Sequence, residues 1–254
     1  MLKILQIPVL TDNYIYLIHD LDSKQTAAVD PAVAEPVLAA LKQQDWELSY
    51  IFNTHHHSDH VGGNLELKVQ TGCKIVAAKS DSQRIPGLDI AVADGDYVQL
   101  GQHQIQIIET SGHTTGHIVY HFADDELLFC GDTLFVMGCG RLFEGTAQQL
   151  WESLQKLKKL PETTKVYCAH EYSLNNGRFA LSVEPDNQVL QTRMESIKQL
   201  REQNQPTVPS TIGQELATNP FFREQSLSLQ THLKMMDKNP LAIFTALRKL
   251  KDSF

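Results

Sequence analysis

Apolar and polar residues alternate with period two in several short runs over the first two thirds of the chain. Gln104-Ile105-Gln106-Ile107 is the clearest of them, as expected of a strand buried on one face only. Runs rich in β-branched and aromatic residues, bounded by turn formers, predict strands at Lys3–Ile7, Tyr14–Ile18, Ala27–Val29, Tyr50–Asn53, Lys74–Ala78, Tyr97–Leu100, Gln104–Glu109, Ile118–Phe122, Leu127–Cys130 and Lys165–Ala169. Ala123-Asp124-Asp125 reads as a hairpin turn between two of them. Helical spacing appears at Val33–Gln43, Val61–Thr71 and Ala147–Leu160. The last of these has Leu150, Leu154 and Leu157 on one face, and Thr146 stands three residues before Gln149, which fits a capping box. After Glu171 the texture becomes helical. Asn187–Gln203 carries Leu190, Met194, Ile197 and Leu200 and is ended by Pro206 and Pro209, and Leu241–Lys251 is a further amphipathic helix. The pattern predicts an α/β domain over residues 1–173 and a small α-helical domain over residues 174–254. There is no internal repeat and no low-complexity tract.

A length of 254 residues with 42% hydrophobic and 20% charged residues fits an ordinary globular chain with a core of normal size. The formal net charge of -8 argues against a general nucleic-acid binder, which needs clustered Lys and Arg. No apolar run approaches the roughly 18 residues needed to cross a bilayer. Met1–Leu10, with one lysine and broken by Gln6 and Pro8, reads as a first strand rather than a signal peptide, so a cytoplasmic protein without membrane contact is expected. Cys73, Cys130, Cys139 and Cys168 show no CxxC spacing and are expected to be reduced, buried thiols.

The chemistry concentrates in Thr54-His55-His56-His57-Ser58-Asp59-His60. Residues two apart in an extended segment point the same way, so His55 and His57 can grip one ion. As the chain turns into a helix, Asp59 and His60 can swing toward a second. Their N and O donors suit zinc, iron or manganese. Three more ligand-type residues each follow a predicted strand: His113 in Ser111-Gly112-His113, Asp132 in Gly131-Asp132-Thr133, and His170 after Lys165–Ala169. One such histidine would be unremarked as a polar residue; three at strand ends fit a site along one edge of a sheet. His56 should point away from the site, Asp30 is a plausible acceptor behind a ligand histidine, and His117 fits either an outer hydrogen-bond partner or a structural role. His19, His103, His121 and His232 are expected at the surface.

An HxHxDH segment followed by a distant His, Asp and His resembles the metallo-β-lactamase superfamily. The resemblance implies a four-layer αβ/βα sandwich. It also implies one metal held by His55, His57 and His113, a second by Asp59, His60 and His170, and Asp132 bridging both. Within that superfamily the chain is similar to the glyoxalase II (hydroxyacylglutathione hydrolase) family along nearly its whole length. The match includes Thr11-Asp12-Asn13-Tyr14, Val29-Asp30-Pro31, Gly62-Gly63-Asn64, Gly138-Cys139-Gly140-Arg141, His170-Glu171-Tyr172, Asn219-Pro220-Phe221 and Arg248-Lys249-Leu250-Lys251-Asp252. It implies a thioesterase that hydrolyses S-D-lactoylglutathione to glutathione and D-lactate in methylglyoxal degradation. Two divalent ions per chain are implied, zinc first, with iron or manganese also accommodated. Arg141, Phe143, Tyr172, Arg248 and Lys251 are the implied glutathione contacts, with phenylalanine at 143 where some members have tyrosine and one hydroxyl donor therefore missing. Arg and Lys pair well with the two carboxylates of glutathione, and an acidic protein needs such a local patch to attract an anion.

Two ions sharing a water would generate hydroxide at neutral pH, and Asp59 is expected to orient that hydroxide. A thiolate leaves easily because thiols are far more acidic than alcohols, so no dedicated general acid is required, and no GxSxG segment is present. The alternatives within the fold are a glutathione persulfide dioxygenase, which expects a single metal, and a nuclease, which wants a basic groove. The alternative outside it is a non-catalytic metal-binding module. The expected partner is the small-molecule substrate, with no nucleic acid and a monomeric chain.

Overall fold

The first sheet is apolar on both faces, and this determines the architecture around it. A computed structural model describes residues 1–254, which divide into two compact units: residues 1–109 with 116–131, and residues 110–115 with 132–254. In the first unit, β1 (Leu2–Val9), β2 (Asn13–Asp20), β3 (Gln25–Val29), β4 (Glu47–Phe52), β5 (Lys74–Ala78) and β6 (Ile90–Val92) form a six-stranded sheet in sequence order. The β1–β2 and β2–β3 pairs are antiparallel and the remaining pairs parallel. Parallel neighbours need crossovers, and α1 (Glu35–Gln44) and α3 (Asn64–Thr71) supply two of them.

Ile15, Leu17, Ala28, Ile51, Ile75 and Ala77 lie in one apolar cluster with Val37 and Leu41 of α1 and Leu67 of α3. The alternate residues face a second layer of four antiparallel strands, β7 (Tyr97–Leu100), β8 (His103–Glu109), β9 (Ile118–Phe122) and β10 (Leu127–Gly131). There Phe52 stacks on Tyr120 at 4.9 Å and Tyr16 meets Phe129 edge-on at 5.5 Å. Each fully buried aromatic contributes on the order of 2 kcal/mol by burial. The Tyr120 hydroxyl donates to the carbonyls of Asn53 and Val76, so the second layer is fastened at the strand ends where the ligand segment begins.

The predicted helix over 61–71 is in fact two, α2 (Ser58–Val61) and α3, separated by Gly62-Gly63. A Cβ on Gly62 would lie 2.4 Å from the Ala32 carbonyl oxygen, so only glycine lets the chain pass. His103 is half-buried and His232 exposed, but His19 and His121 are buried, contrary to their expected surface positions. They lie on the central strands β2 and β9, where both faces are covered. Burial depresses the pKa of both, and His19 is satisfied by Thr26 and stacked on Trp46.

The second unit is mainly helical: α4 (Ala147–Leu157), α5 (Ser173–Val183), α6 (Gln188–Glu202), α7 (Ile212–Thr218), α8 (Leu227–His232) and α9 (Pro240–Asp252). Two short ribbons accompany them, β11 (Leu134–Phe135) with β12 (Gly138–Cys139), and β13 (Lys165–Cys168) with β14 (Ser210–Thr211). The expected Thr146–Gln149 capping box is present, and Asn187, Thr211, Ser226 and Asn239 cap α6 to α9. Buried Glu215 accepts from Met137 N–H, Arg193 and Asn219, tying the β11–β12 ribbon to α6 and α7. None of the helices is long and apolar enough to cross a membrane.

Replacing Tyr120 by Phe should destabilise the protein by about 1–2 kcal/mol, because two buried carbonyls lose their shared donor. Urea unfolding of the two proteins checks this, and a change within experimental error would show that the hydroxyl contributes nothing.

Candidate functional site

In the first unit the ligand segment leaves β4 and is held from behind. Asp30, in a left-handed turn with φ 48°, accepts from the N–H and hydroxyl of Thr54, both at 2.7 Å. Its Oδ2 also lies 3.0 Å from His60 Nδ1. That contact places the proton on Nδ1 and the lone pair on Nε2, the arrangement that makes an imidazole a metal ligand. His55 Nδ1 is 3.0 Å from Thr54 Oγ1, and its Nε2 is 3.0 Å from His57 Nδ1. The His60 ring centroid is 4.0 Å from that of His55. Asn13 donates to Asp59 at both the carboxylate (3.0 Å) and the carbonyl (3.3 Å), which fixes the orientation of that carboxylate. His56 turns the other way, to Asp81 at 3.1 Å with Arg84 beside it. His117 is fully buried and stacks on His55 at 4.8 Å, so it backs that ring.

In the second unit Asp132 stands between two imidazoles. His113 Nε2 is 3.4 Å from one carboxylate oxygen and His170 Nε2 is 3.3 Å from the other. His113 donates through Nδ1 to the Arg141 carbonyl at 2.9 Å, again turning Nε2 to the site. A Cβ on Gly140 would lie 2.2 Å from the Asp132 carbonyl oxygen and 3.0 Å from His113 Nδ1, so glycine is required there. His170 stacks on Tyr172 at 4.8 Å and 2°.

The donor set fits divalent ions. Ligand bonds of about 2.0–2.1 Å in a tetrahedral shell set donors about 3.3 Å apart, and the separations of 3.0, 3.3 and 3.4 Å within the two units match. Each of His55, His60 and His113 has an oxygen partner behind its other nitrogen, the outer support that metal-binding imidazoles need.

His113 and Asp132 also line a cavity of about 370 Å³ whose walls include Arg141, Phe143, Tyr172, Arg248 and Lys251. All five implied glutathione contacts therefore surround one space. Phe143 is exposed and edge-on to His113 at 5.2 Å. Arg248 is buried and donates to the Cys139 and Gly140 carbonyls and to Asp252, so it fastens the loop that carries Arg141 while lending its charge. Burial, with the charges of Arg248 and Arg141 adding to it, lowers the Lys251 pKa to about 8. All four cysteines are buried, as expected, and burial pushes Cys139 up to about 11 and Cys168 to about 12, which excludes either as a ready thiolate. Asn175, Asn176 and Phe254 also line the cavity, and Asn13 holds Asp59, without any motif or spacing in the sequence that marks these roles. Asn13 belongs to a quoted motif, but its hold on Asp59 spans 46 positions, and no spacing rule reveals that.

Residues 11–170 match the family model described as metallo-beta-lactamase superfamily, and residues 171–254 match that described as hydroxyacylglutathione hydrolase C-terminus. A solved structure, that of ETHE1 from Myxococcus xanthus, superposes with a TM-score of 0.68 at 25% identity, covering 97% of this chain and 96% of that one. Fold and donor set thus define a metallo-β-lactamase-fold protein with a divalent-metal-binding His/Asp set. The hydroxyacylglutathione hydrolase of Methylococcus capsulatus is 53% identical over 100% of this chain and 99% of its own length, and that of Rhodospirillum rubrum is 49% identical with the same coverage. The chain belongs to the hydroxyacylglutathione hydrolase family of that superfamily.

Asp30→Asn should keep the bond to the Thr54 N–H but lose the charged partner of His60. Metal affinity should fall about 10- to 100-fold, measured by competition with a chromophoric chelator. Unchanged affinity would remove Asp30 from the support of the site.

Proposed function

We propose that this chain hydrolyses the thioester of S-D-lactoylglutathione to glutathione and D-lactate, the second step of methylglyoxal detoxification. The supporting observation is a single cavity lined both by the metal-ligand types His113 and Asp132 and by the cations Arg141, Arg248 and Lys251. A substrate that carries both a reactive carbonyl and free carboxylates matches that combination of groups. The full-length similarity to named hydroxyacylglutathione hydrolases points the same way.

The proposed ligand set is His55, His57 and His113 for one divalent ion and Asp59, His60 and His170 for a second, with Asp132 shared. Zinc is the first candidate, and iron and manganese suit the same donors. When bound, such ions acidify a water and polarise the thioester carbonyl. Asp59, held by Asn13, orients the attacking water. Arg141 and Lys251 bind the carboxylates of glutathione, Arg248 fixes the loop beneath Arg141, and Tyr172 and Phe143 flank the thioester. Phe143 brings apolar surface and no hydroxyl, so the cations carry more of the glutathione affinity. The leaving thiolate is stable enough to depart without a proton donor.

The division of the chain at 173 and 174 belongs to the same proposal and is supported by the family matches, which meet between residues 170 and 171. So do the monomeric state and a cytoplasmic location. One chain supplies every residue of the proposed site, and four free thiols suit a reducing compartment.

Purified protein should turn over S-D-lactoylglutathione with close to two metals per chain. Asp132→Ala should lose metal and turnover together, as read by elemental analysis and thioester absorbance on one sample. Full activity of that variant would overturn the ligand assignment, and a metal-filled wild type without turnover would move the substrate to another ester, thioester or persulfide. The Lys251 ammonium is lost as pH rises through about 8, so kcat/KM should fall above that pH. In Lys251→Met that fall should be absent and KM raised at neutral pH.

A further inference from the structure

Lys251 is not placed as a surface lysine. Its ammonium lies 5.4 Å from the ring centroid of Phe179 on α5 and 5.2 Å from that of Phe254, and 3.4 Å from the Asn175 carbonyl. The two rings themselves meet edge-on at 5.4 Å. The charged and titratable groups facing it are Arg248 and Asp252 from its own helix α9, Cys139 of β12 and Arg141 from the loop after β12. Asp252 is the one carboxylate among them, and its Oδ1 is engaged by two Arg248 donors at 2.9 and 3.1 Å. Around the Lys251 ammonium, two guanidinium groups thus stand with one carboxylate, itself already committed to Arg248.

We propose that Phe179 and Phe254 are specificity-determining residues, bracketing the Lys251 ammonium at the pocket rim so that the pocket selects ligands with a free carboxylate at the end remote from the thioester. This rests on the glutathione-thioester reading. Ring faces attract an ammonium and displace part of its water, but they do not replace a full hydration shell. The ammonium therefore gains more from an incoming carboxylate than a fully hydrated one would, and a neutral ligand leaves it without that compensation. The bracket also holds a long, flexible side chain in place before binding, which lowers the entropy lost when the ligand arrives. The depressed Lys251 pKa agrees with this placement: partial loss of water and two neighbouring guanidinium groups both disfavour the charged form.

Phe254 is largely exposed, so Phe254→Leu leaves the core intact, whereas Phe179 is buried and unsuited to a first test. The probes are glutathione and glutathione with its glycine carboxylate amidated, bound to metal-loaded wild type and Phe254→Leu at pH 7. The wild type should bind glutathione about three- to tenfold more tightly than the amide, and Phe254→Leu should lose most of that preference. In lysine-labelled protein, the NMR titration of Lys251 should move upward in the variant toward the ordinary lysine range. For the thioester substrate, KM should rise with kcat unchanged. Intact turnover with equal discrimination and equal Lys251 titration in the two proteins would overturn the bracket and leave the thioesterase reading standing. A wild type without thioesterase activity that still discriminates through Phe254 would overturn that reading and leave the bracket standing.

Discussion

The carboxylate of Asp30 is the constraint on which the histidine segment depends. Buried at the end of β3, it receives the backbone N–H and hydroxyl of Thr54 and the Nδ1 of His60. One charged group thereby sets where the segment starts, how its first residue turns and which nitrogen of a candidate ligand carries the lone pair. A buried carboxylate without such donors would be costly; with three of them it becomes an anchor. The chain then closes over it at Gly62 and Gly63, where the absence of side chains lets the Gly63 N–H reach the Pro31 carbonyl at 2.8 Å. Asn53 and Asn64 complete the frame through paired buried amides.

The second unit solves a different problem, holding positive charge in a protein whose net charge is -8. Arg248 is the key group. It lies over the Phe221 ring at 5.1 Å and donates to two loop carbonyls, so the loop bearing Arg141 is tied to α9 by a charged clamp. The next carbonyl along that loop, that of Arg141 itself, accepts from His113. The Arg141 charge lining the cavity and the orientation of His113 thus rest on one short stretch, Cys139–Arg141, and Gly140 within it has no room for a side chain. Glu215 secures the ribbon preceding that loop from beneath.

Where local signals and the fold disagree, tertiary contact prevails. Helix α5 contains Asn175, Asn176 and Gly177 and looks unlike a helix in sequence, since such residues are weak helix formers. Gly177 packs closely against the ends of Met137 and of Met194 on α6, and Asn176 donates to the Val136 carbonyl. β11, β12 and β14 are two residues each, too short for any periodicity to register. His19 and His121 were misjudged because a histidine carries no mark of its depth; the strand neighbours that cover it are distant in sequence.

What the sequence by itself determined is the chemistry and its spacing. The alternation of the strands, the Thr146 cap, the seven ligand-type residues and the basic end of α9 are local or compositional facts, and periodicity and donor chemistry make them legible. The outward turn of His56 was also readable, because an extended segment alternates sides. Only the tertiary structure decided which nitrogens face inward, that Asn13 holds Asp59, and that Arg248 serves the loop as well as the pocket. It alone brought the rings of Phe179 and Phe254 to Lys251. These are long-range contacts, set by how sheets and helices close on one another, and no local pattern carries that information.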